Sequence, residues 1–213
     1  MRISIASMVL FALGLSLSLP ARGSIVYENG PIDGHDYAWA INFGGWVTDT
    51  FTVSGGATTF TGLSFGAWLY PGDTLTSVEV LMTSNRDGGI IYFDQKVIFS
   101  TSACFTNQYE YRICTETGIF SGPTLANGTY WLRLQNATTT LGDQVVWWDE
   151  NSGAGCDSPG CPSQAWDSED GPIPSESFSL SGSEGGTTPE PGSILLFGSG
   201  IIGVAVLRRR KVF

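Results

Sequence analysis

The chain has 213 residues, of which 42% are apolar, 12% aromatic and only 14% charged. A disordered chain is poor in aromatics and rich in charge, so this composition predicts one folded domain of ordinary size rather than a disordered chain or two full domains. The net charge is −10, but six of the ten basic residues (Arg2, Arg22, Arg208, Arg209, Arg210 and Lys211) sit at the two ends; between Gly23 and Leu207 four basic residues face all twenty acids, a formal charge of −16. A body that acidic repels phosphate backbones and argues against nucleic acid as a partner.

Met1 and Arg2 form a short basic start. The apolar stretch Ile3 to Leu19 follows, and then Pro20 with the small residues Ala21, Gly23 and Ser24. That order of charge, apolar core and small residues is a secretory signal, which predicts a signal helix over residues 1–23 and cleavage by signal peptidase after Ala21 or Gly23.

The body, residues 24–181, shows no window with helical apolar spacing, while alternation is frequent. Leu63, Phe65, Ala67 and Leu69 share one face of a strand that Pro71-Gly72-Asp73 ends. Val78, Val80 and Met82 alternate before the turn from Ser84 to Gly89. Ile91, Phe93, Val97 and Phe99 share a face after it, and Tyr130, Leu132 and Leu134 do so after the Ala126-Asn127-Gly128 turn. Trp39 with Ile41, Val47 to Val53, Val145 to Trp147 and Phe178 to Leu180 supply further strands. Short alternating units separated by Gly, Asn, Asp and Pro predict an all-β fold, an antiparallel β-sandwich of jelly-roll type.

Four cysteines, Cys104, Cys114, Cys156 and Cys161, lie inside this body. In an exported chain an even count predicts disulfides; four allow three connectivities, and proximity favours Cys104 with Cys114 and Cys156 with Cys161. A four-thiolate zinc site is disfavoured, because no C-x2-C pair is present. Gly62-Leu63-Ser64-Phe65-Gly66 fits the letters of a nucleophile elbow, but alternation runs straight through it and the single histidine, His35, precedes the serine instead of following it. With one histidine, acid–base chemistry would rest on carboxylates, and twenty acids single out no pair. No catalytic residue is assigned. Asp149, Glu150 and Asn151, with Asp157, Asp167, Glu169 and Asp170 near the Cys156–Cys161 loop, are oxygen ligands suited to calcium, against the simpler reading of solvated loop acids; no EF-hand spacing is present. Seven tryptophans are many for this length. Neighbours on a strand point to opposite faces, so one of Trp147 and Trp148 should face outward, where a flat ring can stack on a sugar. Trp147, Trp148, Asp149 and Glu150 are therefore the candidate ligand-binding residues.

Residues 182–188 are Gly-, Ser- and Thr-rich and read as a flexible linker. Residues 192–207 carry no charge; sixteen residues make about 24 Å of helix against a hydrocarbon core of ~30 Å, a short span that snorkelling basic side chains can complete. Arg208, Arg209, Arg210 and Lys211 follow at once and would stay cytoplasmic, which makes 192–207 a single transmembrane helix of the inner membrane with the body outside. Pro189-Glu190-Pro191, the short Gly-rich apolar stretch and the terminal basic cluster together resemble the bacterial PEP-CTERM sorting signal over residues 189–213. The resemblance implies recognition by an exosortase, in bacteria that often make exopolysaccharide, and delivery to the cell surface or extracellular matrix. The run from Asp49 through Asp149-Glu150-Asn151 to Cys156 and Cys161 resembles a body that recurs among exported PEP-CTERM proteins, which implies an architecture and no activity.

These observations give a non-enzymatic structural or interaction domain of the cell surface as the leading expectation. A carbohydrate-binding module for exopolysaccharide is the alternative, and a carboxylate-dependent glycoside hydrolase the third.

Overall fold

The computed structural model describes residues 23–35, 37–151 and 156–185. The segment expected to be a signal, up to residue 22, and the tail with the span expected at 192–207 lie outside the described residues. Among the described residues no helix is long and apolar enough to cross a membrane.

Thirteen strands form among the described residues, and every pairing is antiparallel. One layer contains β1 (Ser24–Glu28), β13 (Phe178–Glu184), β4 (Thr58–Leu69) and β7 (Arg112–Ile119), with β2 (Ala38–Ala40), β8 (Thr124–Leu125) and β10 (Trp147–Asp149) added beside them. The other contains β5 (Leu75–Asn85), β9 (Gly128–Thr139), β3 (Trp46–Val53), β11 (Ala165–Asp167) and β12 (Gly171–Ile173). The strand β6 (Gly88–Thr106) belongs to both: its first half pairs with β5 and its second half with β7. It turns the corner that curls the sheet face to face, and the rings of Tyr27, Phe51, Phe60 and Phe178 from the two layers meet in the middle at 5.5–6.1 Å.

The alternation in the sequence is the alternation of the core. Leu63, Phe65, Ala67 and Leu69 are buried, as are Val78, Val80, Met82, Leu132 and Leu134. Each large apolar side chain so buried contributes roughly 1.5–3 kcal/mol. Phe60 also faces inward although its number has the other parity, because β4 carries one extra residue opposite Ser181 and Gly182 of β13. Ile91 shares the parity of Phe93, Val97 and Phe99 but is exposed. The register breaks at Met82, Thr83 and Asn85, and the tip of the β5–β6 hairpin overhangs the core.

Strand β7 carries no alternating apolar face. Its inward positions are Cys114, Glu116 and Gly118, opposite Ala67, Phe65 and Leu63 of β4. The sulfurs of Cys104 and Cys114 join as a disulfide between directly opposed residues of β6 and β7, and Cys156 pairs with Cys161 in the loop before β11. Strand β13 continues to Glu184, into the stretch read from sequence as linker.

Candidate functional site

Strand β10 and the residues after it organise the polar chemistry of the body. Trp148 points inward: its ring packs edge-on against Phe65 and Phe178, and its indole N–H donates to the Ser177 carbonyl at 2.9 Å. Trp147 points outward, directly opposite Trp68 of β4. Together with Tyr37, Ala38, Tyr109 and Tyr111 these two rings line a groove of about 340 Å3. Tyr111 meets Trp147 at 5.1 Å and Trp68 at 5.8 Å, and Tyr109 lies over Trp68 at 6.0 Å with the planes 28° apart. Tyr37 and Tyr109 are 60% and 54% exposed, so aromatic faces are open to solvent at the rim.

Asp149 lies beneath this groove on the outer side of the layer, covered by the segment that follows β1. Its Oδ1 accepts the Trp68 indole N–H at 2.5 Å. Its Oδ2 accepts the backbone N–H of Asp33 at 3.1 Å and of Gly34 at 3.4 Å, and the Ser177 hydroxyl at 3.2 Å. A side chain on Gly66 would strike Asp149, Ile32 and Ser177, which is why the strand needs glycine there. The second glycine of the apparent nucleophile elbow is thus a packing residue, and Ser64 of that motif exchanges a hydrogen bond with Thr117 at 2.8 Å within paired strands. Burial pushes the Asp149 carboxyl up to about 6 against the hydrogen bond from Trp68.

A second polar cluster occupies the space between the layers. Asp49 stands in β3 between Val47 and Phe51, all three facing inward, and its carboxylate crosses to the other layer. Oδ2 accepts the backbone N–H of Glu176 at 2.7 Å and the Asn29 amide at 3.1 Å, while Oδ1 accepts Thr50 N–H at 2.6 Å. Asn29 also donates to the Glu176 carbonyl and lies near the Ser163 and Ser175 hydroxyls, with Cys161 Sγ 3.2 Å from its Oδ1. Complete burial pushes Asp49 up to about 7, opposed by these hydrogen bonds. Glu150 and Glu176 are antiparallel bridge partners. They lie two residues from the inward Trp148 and Phe178, so both carboxyl groups project into the inter-layer space. Glu150 Oε2 accepts the Trp39 indole N–H at 3.1 Å. Glu176 is fully buried, and among the described residues neither of its carboxyl oxygens has a hydrogen-bond partner. Burial first, and then the charges of Asp49, Glu150, Asp149 and Asp167, hold its carboxyl well above the ordinary range.

Of the four candidate residues read from sequence, then, Trp147 reaches the open groove, Trp148 is core, Asp149 braces the groove from below, and Glu150 faces the buried cluster. Among the other acids weighed for calcium, Asp167 points inward opposite Val47, and its Oδ1 accepts the N–H groups of Glu169 and Asp170. Asp157 stands outside both clusters' hydrogen bonds. Asp49 and Glu176 escaped the sequence reading, although a signal existed. Each is an acid in an inward slot of an alternating stretch, Val47-Thr48-Asp49-Thr50-Phe51 and Glu176-Ser177-Phe178. Among the described residues no group of three or more His, Cys, Asp or Glu side chains is placed to hold a metal ion.

Residues 187–211 match the model of the PEP-CTERM protein-sorting motif. No curated protein matches the chain. The matched stretch contains Pro189-Glu190-Pro191 and the basic cluster, and it supports an exported PEP-CTERM protein of the cell surface that an exosortase sorts.

Proposed function

We propose that the body is a non-enzymatic glycan-contacting domain, displayed outside the cell and aimed at the extracellular polysaccharide. The observation that carries this reading is the groove of Trp147, Tyr37, Tyr109 and Tyr111 over the buried Trp68; its exposed rings offer faces to the C–H side of a sugar and its phenols offer hydrogen bonds to the sugar hydroxyls. Among the described residues no carboxylate lines it, and Asp149 beneath it spends both oxygens on protein donors, so the groove suits holding a glycan better than cleaving one. In the same reading the signal segment is removed by signal peptidase, and residues 192–207 hold the precursor in the inner membrane, body outside, until the exosortase acts. Calcium, if used, acts away from the groove.

The body's other tryptophan face fits less well. Arg86 lies 3.8 Å over the Trp166 ring and Arg133 4.0 Å over Trp46, so a sugar would have to displace the protein's own guanidinium groups there. The test is a titration of the full chain, purified in mild detergent, with the host's extracellular polysaccharide, read by tryptophan fluorescence. A saturable shift that weakens at least tenfold in Tyr109→Ala supports the reading. No shift at high polysaccharide concentration, or an unchanged titration in that variant, sinks it and leaves a structural or protein-binding domain.

A further inference from the structure

The inter-layer space at the β10 end gathers Glu150 and Glu176 from one layer and Asp49 and Asp167 from the other, each placed by strand register on the inward face. Four carboxyl groups in one desolvated space repel one another, and like charges directly opposite across a pair of strands, as Glu150 and Glu176 are, destabilise it. Among the described residues no basic side chain forms an ion pair with them. Of the body's four basic residues, Arg86 and Arg133 lie over Trp166 and Trp46, and Arg112 donates to the Asp73 carbonyl; neither they nor Lys96 form an ion pair with this cluster. Three of the four acids have named donors: Asp49 has Asn29, Thr50 and Glu176 N–H, Glu150 has Trp39, and Asp167 has Glu169 and Asp170 N–H. Glu176 has no hydrogen-bond partner among the described residues, is wholly buried, and lies across the strand bridge from Glu150.

A buried carboxylate with both oxygens unmatched is among the costliest groups a fold can hold, so it persists where a ligand answers it. We infer that this space is a binding site for a hard divalent cation of calcium type, with Glu176 as its principal ligand, Glu150 as the second carboxylate and Asp167 as a further charge nearby. Calcium takes six to eight oxygens and tolerates irregular geometry, so two carboxylates can be completed by water and by neighbouring carbonyl oxygens without a preformed three-acid cage. An ion here would clamp the two layers beside Trp148, Phe178 and Val47, and would do so independently of the aromatic groove.

The experiment uses the full chain in mild detergent, stripped with chelator and dialysed. Calcium chloride is titrated in by calorimetry and by thermal unfolding, with magnesium as the comparison ion. Terbium luminescence excited through tryptophan reports the position, since the Trp39 indole sits on Glu150. The expected result is a saturable calcium signal, a midpoint rise of roughly 5–10 °C at a hundredfold excess over Kd, and sensitised terbium emission that calcium displaces. Glu176→Gln should weaken calcium at least tenfold while Glu169→Gln, on the exposed turn, leaves it unchanged. Should Glu176→Gln fold poorly, Glu150→Gln takes its place. No calcium or terbium binding to the unaltered chain up to 10 mM, or equal binding by Glu176→Gln, overturns the inference and leaves a proton shared between Glu150 and Glu176 as the answer to their repulsion.

Discussion

The two ends of the space between the layers are built on opposite physical terms, although a single strand serves both. Phe51 and Val53 of β3 enter the apolar end, where Phe51 meets Phe60 edge-on at 5.5 Å and Leu63 and Leu125 fill the remaining volume. Two residues earlier the same strand sends Asp49 into the other end, among Asn29, Asn151, Ser175 and Glu176. The apolar end is held by area removed from water, which does not depend on pH or ions. The polar end gains only where each buried group finds its partner, so its stability is conditional on protons and ligands. One half of the body is a fixed clasp and the other an adjustable one.

The comparison breaks most directly at the fixed end. Phe60→Ala removes a buried ring from the Phe51 contact, and the surrounding strands cannot close over the space. Urea unfolding should show a loss of about 3–5 kcal/mol, equal at pH 5 and pH 8. A loss that differed strongly between the two pH values would show that the two ends are not independent.

The adjustable end should respond to pH in the opposite way from an ordinary acidic protein. Asp49 is pushed to about 7 by burial and Glu176 is held well above the ordinary range; away from this end, burial also pushes Asp149, beneath the groove, to about 6 and Glu116, beside Phe65, to about 7 against the hydroxyl of Thr101. In the unfolded chain these groups titrate near 4. Below that value both states are protonated and the fold is not penalised; above it the unfolded chain releases protons that the fold still holds, so stability falls as pH rises and levels off once the folded carboxyl groups ionise near 6 to 7. Without divalent cations, unfolding free energy should therefore drop by several kcal/mol from pH 5 to pH 8, most of it below about pH 7. A flat or rising profile would refute the description of this end. Glu176→Gln should make the drop smaller, because it removes the charge that the other acids face.

Why some of this was legible in the sequence and some was not follows from the same contrast. Alternation exposes an apolar face, so β4, β5 and β9 could be read from Leu63 to Leu69, Val78 to Met82 and Tyr130 to Leu134. Strand β7 was hidden because its inward slots hold a disulfide cysteine, an acid and a glycine, none of which registers as core by hydropathy. The corner in β6 was hidden because one strand of nineteen residues serves two layers, and local pattern carries no information on where it bends. Period-two spacing showed that one of Trp147 and Trp148 faces out, but not that Tyr37, Tyr109 and Tyr111 join it, since those come from distant loops. Asp49 and Glu176 were overlooked for the converse reason: a search for exposed acids in loops passes over acids that a strand turns inward.

The smallest expected effect on stability tests whether the groove belongs to neither clasp. Tyr109 follows β6 in the turn before β7, more than half exposed, and touches Trp68 only through its ring face. Truncating it to alanine leaves every inter-layer contact in place, and its backbone N–H still donates to the Asn107 side chain. Tyr109→Ala should thus shift the unfolding free energy by no more than about 0.5 kcal/mol at either pH, even as it removes one wall of the groove. A substantially larger loss would mean that the ring is part of the packing that holds β4 against β7, and the groove would then be a consequence of the fold rather than a surface kept open for a ligand. A change confined to polysaccharide affinity would separate binding from folding within a single side chain.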